Sequence, residues 1–126
     1  MPGLRGHATH TITEADTAIA MRSGEVPTLA TPRLVALMEE ATVAALADKL
    51  GEGETSVGMR IHIDHLYPLG TGAEIMAEEL LEAVEGRSRT CSDTATERGT
   101  VEASASSDRV GGATSRFGGR GGAETD

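Results

Sequence analysis

The sequence predicts an α+β fold in which one buried helix is embraced by a sheet. Three observations carry this expectation. Residues 31–50 form the strongest helical stretch and are apolar nearly all round, the pattern of a helix enclosed by its own fold. Residues 57–65 alternate between apolar and polar side chains with the period of a strand. Tyr67 and Phe117 are the only aromatic residues, so the core has to be aliphatic and small, which suits close packing of a helix against a sheet.

The chain has 126 residues, enough for one domain with one core. Residues 1–110 are assigned to that domain, and 111–126, ending in GGRGGAETD, to a flexible Gly-rich tail. Twenty acidic against 11 basic side chains give a formal charge of -9, which repels phosphate backbones and anionic membranes. Neither nucleic acid nor a membrane is expected as a partner. Cys91 is the single cysteine and has no internal partner. No Cys/His spacing resembles a metal site, so neither a metal nor another cofactor is expected. With no apolar leader in MPGLRGHATH and no run long enough to span a bilayer, a reducing cytoplasm is the expected location.

Taken in order, His7 to Thr13 alternates weakly and is rich in threonine, as a short strand would be. Thr13 then starts a short helix, with Asp16 three residues on in the capping-box position and Ser23-Gly24 as its stop. Pro27 makes Glu25 to Ala30 an extended connection. Thr31-Pro32 reads as N-cap plus first helical residue, and Gly51 as the stop of the long helix. Glu39 and Glu40 sit in that otherwise apolar cylinder. In the following strand Val57, Met59, Ile61, Ile63 and His65 share one face, so His65 is the polar end of an apolar row. Residues 73–86, AEIMAEELLEAVEG, favour helix by local propensity. Beyond Gly86 the composition changes: Val101, Val110 and Phe117 are the only large apolar residues left.

Three stretches, VPTLATPRLVALMEEAT, GETSVGMRIHIDHLYPLG and AEELLEAVEGR, resemble the fluoroacetyl-CoA thioesterase-like branch of the hotdog-fold thioesterases. The resemblance runs from about His7 to Arg87. It rests on joint spacing: Glu39 eight residues after Thr31, His65 twenty-six after Glu39, and Gly58 between them. It implies a single hotdog domain, a long central helix wrapped by a curved antiparallel sheet, acting as a homodimer. It also implies a strand over residues 73–86, against local propensity. Hydrolysis of a small acyl-CoA to free acid and CoA is the implied activity, with Thr31, Glu39 and His65 as catalytic residues and Gly58 lining the substrate site. Two features depart from the family. No aromatic residue stands at Glu25-Val26-Pro27, where the fluoroacetate-specialised member has an aromatic lid. The apolar alternation of the last two strands is mostly lost, which leaves their completeness open and suggests a frame change after Gly86.

Such chemistry needs a base, a group tuning it, and donors for the developing oxyanion. His65 suits the base, since an unperturbed imidazole titrates near neutrality. Glu39 would orient or balance the imidazole or attack the carbonyl, and Thr31 would hold substrate or water. Plainer roles compete: Thr31 as an N-cap, Glu39 as part of a solvated helix edge, His65 as a structural histidine. Eight helical residues rise about 12 Å, so Thr31 and Glu39 reach each other only through a substrate or across a subunit interface. A non-catalytic acyl/CoA-binding or dimeric interaction module, and an inactive member damaged in its C-terminal part, are the alternatives to an enzyme.

Overall fold

The computed structural model describes residues 4–47, 50 and 52–113. Strand β1 (Arg5–Thr11) leads into a 3-10 turn (Glu14–Asp16), a short helix α1 (Ala18–Met21) and the long helix α2 (Thr31–Leu46). Four strands follow: β2 (Glu54–His65), β3 (Glu74–Glu85), β4 (Ser88–Glu97) and β5 (Thr100–Ala113). They form one antiparallel sheet with β1 in the order β1-β3-β4-β5-β2, and α2 lies across its inner face. This is the expected helix wrapped by an antiparallel sheet.

Residues 73–86 show how tertiary context overrides propensity. As β3 they alternate, burying Ile75, Ala77, Glu79 and Leu81, and they pair with β1 on one side and β4 on the other. A helix here would satisfy its own backbone but strip both neighbours of theirs. The strands left open by composition, β4 and β5, are both present and paired along their lengths. Their inward positions hold Cys91, Asp93, Ala95, Ala103 and Ser107. Small and polar residues fill them, which is why the apolar alternation is missing. Strand β5 runs to Ala113, past the boundary expected at 110, and the rest of the expected tail lies outside the described residues.

Helix α2 ends at Leu46 rather than Leu50, and the expected stop, Gly51, lies outside the described residues. Leu34, Leu37, Met38 and Ala41 meet Ile12, Leu29, Ile75, Ala77, Ala95 and Ala103 in the main core. On the side of β1 the helix comes so close that a Cβ on Gly6 would stand 2.5 Å from the Ala41 carbonyl oxygen and the Ala45 nitrogen. Only glycine fits there. Beneath the middle of α2 the core turns polar. The Thr42 hydroxyl lies 3.0 Å from the Met38 carbonyl, 3.1 Å from Glu79 Oε1 and 3.5 Å from Asp93 Oδ1, while Ser107 donates to Asp93 Oδ2 at 3.4 Å. Glu79 and Asp93 are both buried, and Glu79 Oε2 has no hydrogen-bond partner.

Strand β2 corrects the expected single apolar row. A bulge between Gly58 and Arg60 leaves Met59 unpaired and 65% exposed. Past it, Ile61, Ile63 and His65 are half-buried; before it, Ser56 is buried and a Cβ on Gly58 would run into the Glu39 carboxylate. One extra residue therefore changes which side chains point inward.

Candidate active site

Thr31 is the first residue of α2 rather than its cap. Ala30 holds the cap position with extended geometry and offers no side chain to the helix, and Pro32 follows inside the first turn. This corrects the N-cap expectation, and it frees the Thr31 hydroxyl. That hydroxyl meets His65 Nδ1 at 2.9 Å, joining residues 34 apart in sequence. The end of β2 is fixed beside it, since His65 pairs with Ala103 and the Leu66 N–H donates to the Glu102 carbonyl at 2.8 Å. Burial pushes the His65 imidazole below its ordinary pKa, with the Tyr67 backbone and the Glu102 carboxylate acting in the opposite direction. The neutral imidazole that results at neutral pH is the form able to accept a proton. Its Nε2 is buried without a partner, and Nδ1 is the nitrogen that meets Thr31.

Thr31 and His65 border a cavity of about 290 Å³ whose other walls include Ala18, Val26, Leu29, Tyr67 and Pro68. This lining is mostly apolar, with the Thr31–His65 pair and the hydroxyl-bearing Ser23, Thr28 and Tyr67 as its polar members, the arrangement typical of small-ligand sites.

Glu39 and Gly58 meet elsewhere. They line a second cleft of about 270 Å³ together with Arg60, Ser107 and Arg109, and no residue is common to the two linings. Arg109 is the residue the sequence reading missed. Its guanidinium is almost fully buried, donating from Nε to Ser56 Oγ and from Nη2 to the Ser56 carbonyl, both at 3.0 Å. Its Nη1 reaches Glu39 Oε2 at 3.4 Å, and Glu39 keeps nearly half its side-chain surface exposed. A signal existed: Arg109 has the parity of Ala103 and Ser107, so simple alternation along β5 turns it inward. A buried guanidinium needs acceptors, and both Ser56 and Glu39 supply them.

The four expected residues thus fall into two pairs, Thr31 with His65 and Glu39 with Gly58. Along β2 the seven residues from Gly58 to His65 span about 23 Å, too far for one thioester to touch both pairs within one chain. His7 and His62 are exposed, whereas His10 is half-buried and bound to Asp16. Among the described residues no group of three or more His, Cys, Asp or Glu side chains is placed to hold a metal. No helix among them is long and apolar enough to cross a membrane.

The family model described as fluoroacetyl-CoA-specific thioesterase, FlK, matches residues 12–112. A solved structure of the fluoroacetyl-CoA thioesterase FlK is 26% identical and covers 93% of this chain and 91% of its own, with a TM-score of 0.86. A hot-dog-like protein from Thermanaerovibrio acidaminovorans is also 26% identical, covering 94% of each chain at a TM-score of 0.81. A Thermus thermophilus hypothetical protein described as a thioesterase superfamily member shares the fold at 20% identity, covering 92% of this chain and 86% of its own, with a TM-score of 0.84. Among curated proteins none matches the sequence. With the helix-in-sheet architecture complete and the family match spanning most of the chain, the protein belongs to the fluoroacetyl-CoA-specific thioesterase family and is an acyl-CoA thioesterase of hotdog fold.

Proposed function

We propose that the protein hydrolyses a small acyl-CoA in the cytoplasm, using Thr31 and His65 at one cleft and Glu39 and Gly58 at the other, brought together in a homodimer. The observation that carries this reading is the 2.9 Å contact between the Thr31 hydroxyl and a neutral His65 at the mouth of an apolar cavity. A water in that cavity donates to the Thr31 oxygen while Thr31 donates to His65 Nδ1. As the water oxygen bonds to the thioester carbonyl carbon, its proton passes through the hydroxyl to the imidazole. The C–S bond then breaks, and the imidazolium returns a proton to the departing CoA thiolate, leaving free acid and CoA. Glu39, anchored by Arg109, balances the transient imidazolium charge. Gly58 makes room for the Glu39 carboxylate and lines the same cleft.

The dimer is supported by the open edge of β2 and by exposed Met59 and Val43 beside it. An edge strand presents unpaired backbone groups, and a twofold pairing of two such edges satisfies both. A twofold axis at His62, perpendicular to the sheet, keeps inward residues opposite inward ones and, past the bulge at Met59, sets Gly58 of one chain close to His65 of the partner subunit, which unites the two pairs at each site. The acyl group is small, in keeping with a cavity of about 290 Å³. Val26 lines the cavity where a lid would sit, so no preference for fluoroacetyl-CoA is expected.

Free-thiol release from acetyl-, propionyl- and fluoroacetyl-CoA tests the reaction. His65→Ala and Glu39→Ala should each lose about a hundredfold in kcat, the scale of a lost acid–base group. A folded His65→Ala protein that turns over at the wild-type rate refutes the mechanism, and saturable CoA binding without any turnover favours a non-catalytic acyl-binding module. Mixing the two inactive variants should restore activity through hybrid dimers, because one site then has both residues. Failure to complement, with a dimer present, places both residues of a site on one chain.

A further inference from the structure

Asp16 is 6% exposed, and its carboxylate gathers four donors. Oδ2 accepts from the Thr13 N–H at 2.7 Å, the Thr13 hydroxyl at 2.9 Å and His10 Nε2 at 2.8 Å, and Oδ1 accepts from Arg33 Nε at 3.1 Å. Its backbone carbonyl accepts the Ala30 N–H at 2.8 Å. Ala30 immediately precedes Thr31, and Arg33 stands two residues beyond it. One residue therefore grips the chain on both sides of Thr31. Little else in the helix start can do so, since Ala30 has no capping side chain and Pro32 has no N–H.

We propose that Asp16 is a positioning residue, holding the first turn of α2 so that the Thr31 hydroxyl faces His65 Nδ1. This rests on the reading that Thr31 takes part in the reaction. The Thr31–His65 contact joins α2 and β2, two elements that share no backbone ladder. Asp16 ties the start of α2 to a third element, the 3-10 turn, which is itself tied to the sheet through His10 of β1. The grip holds across the working pH range: burial alone would raise the carboxyl pKa, but the Thr13 N–H, His10 and the Thr13 hydroxyl outweigh it and bring it to about 2. Asparagine cannot replace it. An amide accepts on one side only and turns its own N–H bonds toward donors on the other.

The test is a double-mutant cycle on kcat for acetyl-CoA hydrolysis, with all proteins folded by circular dichroism at the assay temperature. Asp16→Asn should lower kcat about tenfold with KM within twofold, since misplacement of a reacting group by less than 1 Å carries such a cost. Arg33→Met, which removes one arm of the grip and leaves Asp16 buried, should lower kcat in the same direction and decides the matter if Asp16→Asn does not fold. In a Thr31→Ala background neither substitution should reduce kcat further, because the group they position is gone. Folded Asp16 and Arg33 variants with wild-type kcat, beside an impaired Thr31→Ala, overturn the positioning role. An equal further loss in the Thr31→Ala background also overturns it, since a merely structural residue acts regardless of Thr31. A Thr31→Ala enzyme as active as the wild type removes the reading of Thr31 itself, and the proposal falls with it.

Discussion

Asp16 and the Glu79–Asp93 pair are all closed to water, 6% exposed against 0% and 2%, but Asp16 lies just beneath the surface and the pair deep under α2, and they end in opposite states. Burial pushes both toward neutrality. Around Asp16 that push is overcome by two nitrogen-bearing side chains, a backbone N–H and a hydroxyl, and the group stays ionised with a pKa of about 2. Under α2 the donors are two hydroxyls, one of them claimed by three acceptors at once, and the weakly donating Cys91 thiol. One hydrogen cannot serve three oxygens. The orphaned Glu79 Oε2 next to Asp93 is therefore the natural place for a shared proton, as in other close carboxyl pairs. Burial first, and Asp93 second, push Glu79 up to about 9, and burial raises Asp93 as well. The difference teaches that the supply of donors, together with depth, decides whether a core acid carries charge.

The largest expected effect is on stability against pH. Glu79 has a folded-state pKa raised from 4.5 to about 9, so its contribution is fully present below pH 4.5 and is lost as pH rises toward 9. The groups facing it are Cys91 and Asp93 of β4 and Thr42 of α2, while Arg109 of β5, with Glu39 beyond it, acts on Cys91 and Asp93. Urea unfolding between pH 5 and pH 9 should show stability falling by up to about 1.4 kcal/mol per pH unit. Glu79→Gln, which is neutral throughout, should flatten that slope; an unchanged slope breaks the comparison.

Next in size is Asp16→Ala. It strands the Arg33 guanidinium and the Thr13 N–H, at about 3 kcal/mol near pH 7. Asp16 has a lowered folded pKa, so its contribution exists above pH 3.8 and disappears as pH falls toward about 2. The gap between wild type and variant should close over that acid range, the reverse of the Glu79 case. Acid titration of the two unfolding midpoints checks it. Smaller again is Thr42→Val, which removes the bridging hydroxyl from the carboxyl pair. A loss of about 1–2 kcal/mol is expected, measured by thermal or urea melts.

The smallest effect belongs to Glu78, which neighbours Glu79 but points to the opposite face. Its contact with Arg5, 3.7 Å between side chains that are 60% and 41% exposed, is screened by water. Arg5→Ala should shift stability by less than about 0.5 kcal/mol. A larger shift would mean that exposure does not separate the two classes of acid.

Much of this was readable from residue order. The apolar cylinder of α2 and the half-buried end of β2 follow from periodicity; that Thr31 and His65 belong together came only from the family resemblance, and the two side chains meet across 34 residues. The Asp16 position was legible as part of a helix start, but not as a hub, since His10 and Arg33 reach it from separate elements. Strand β3 was illegible to local propensity, because its conformation is dictated by the two strands beside it. Arg109 and the small inward residues of β4 and β5 escaped because the reading looked for large apolar groups where the core holds small and polar ones. The division of the expected site into two clefts could not be read from spacing at all. Spacing gives distance along the chain, whereas the bulge in β2 changes direction.

That bulge also bears on how relatives of this chain should be compared. Deleting Met59 restores a regular ladder, and every remaining side chain of β2 keeps the face it now occupies: Ser56 and Gly58 inward, Ile61, Ile63 and His65 inward. A one-residue gap in the middle of a strand is ordinarily the least plausible place for an alignment to break. In this strand it is the most economical one. A gap forced instead into the loop before Glu54 would match Gly58 with a residue that faces solvent, and would hide the counterpart of the residue that makes room for Glu39.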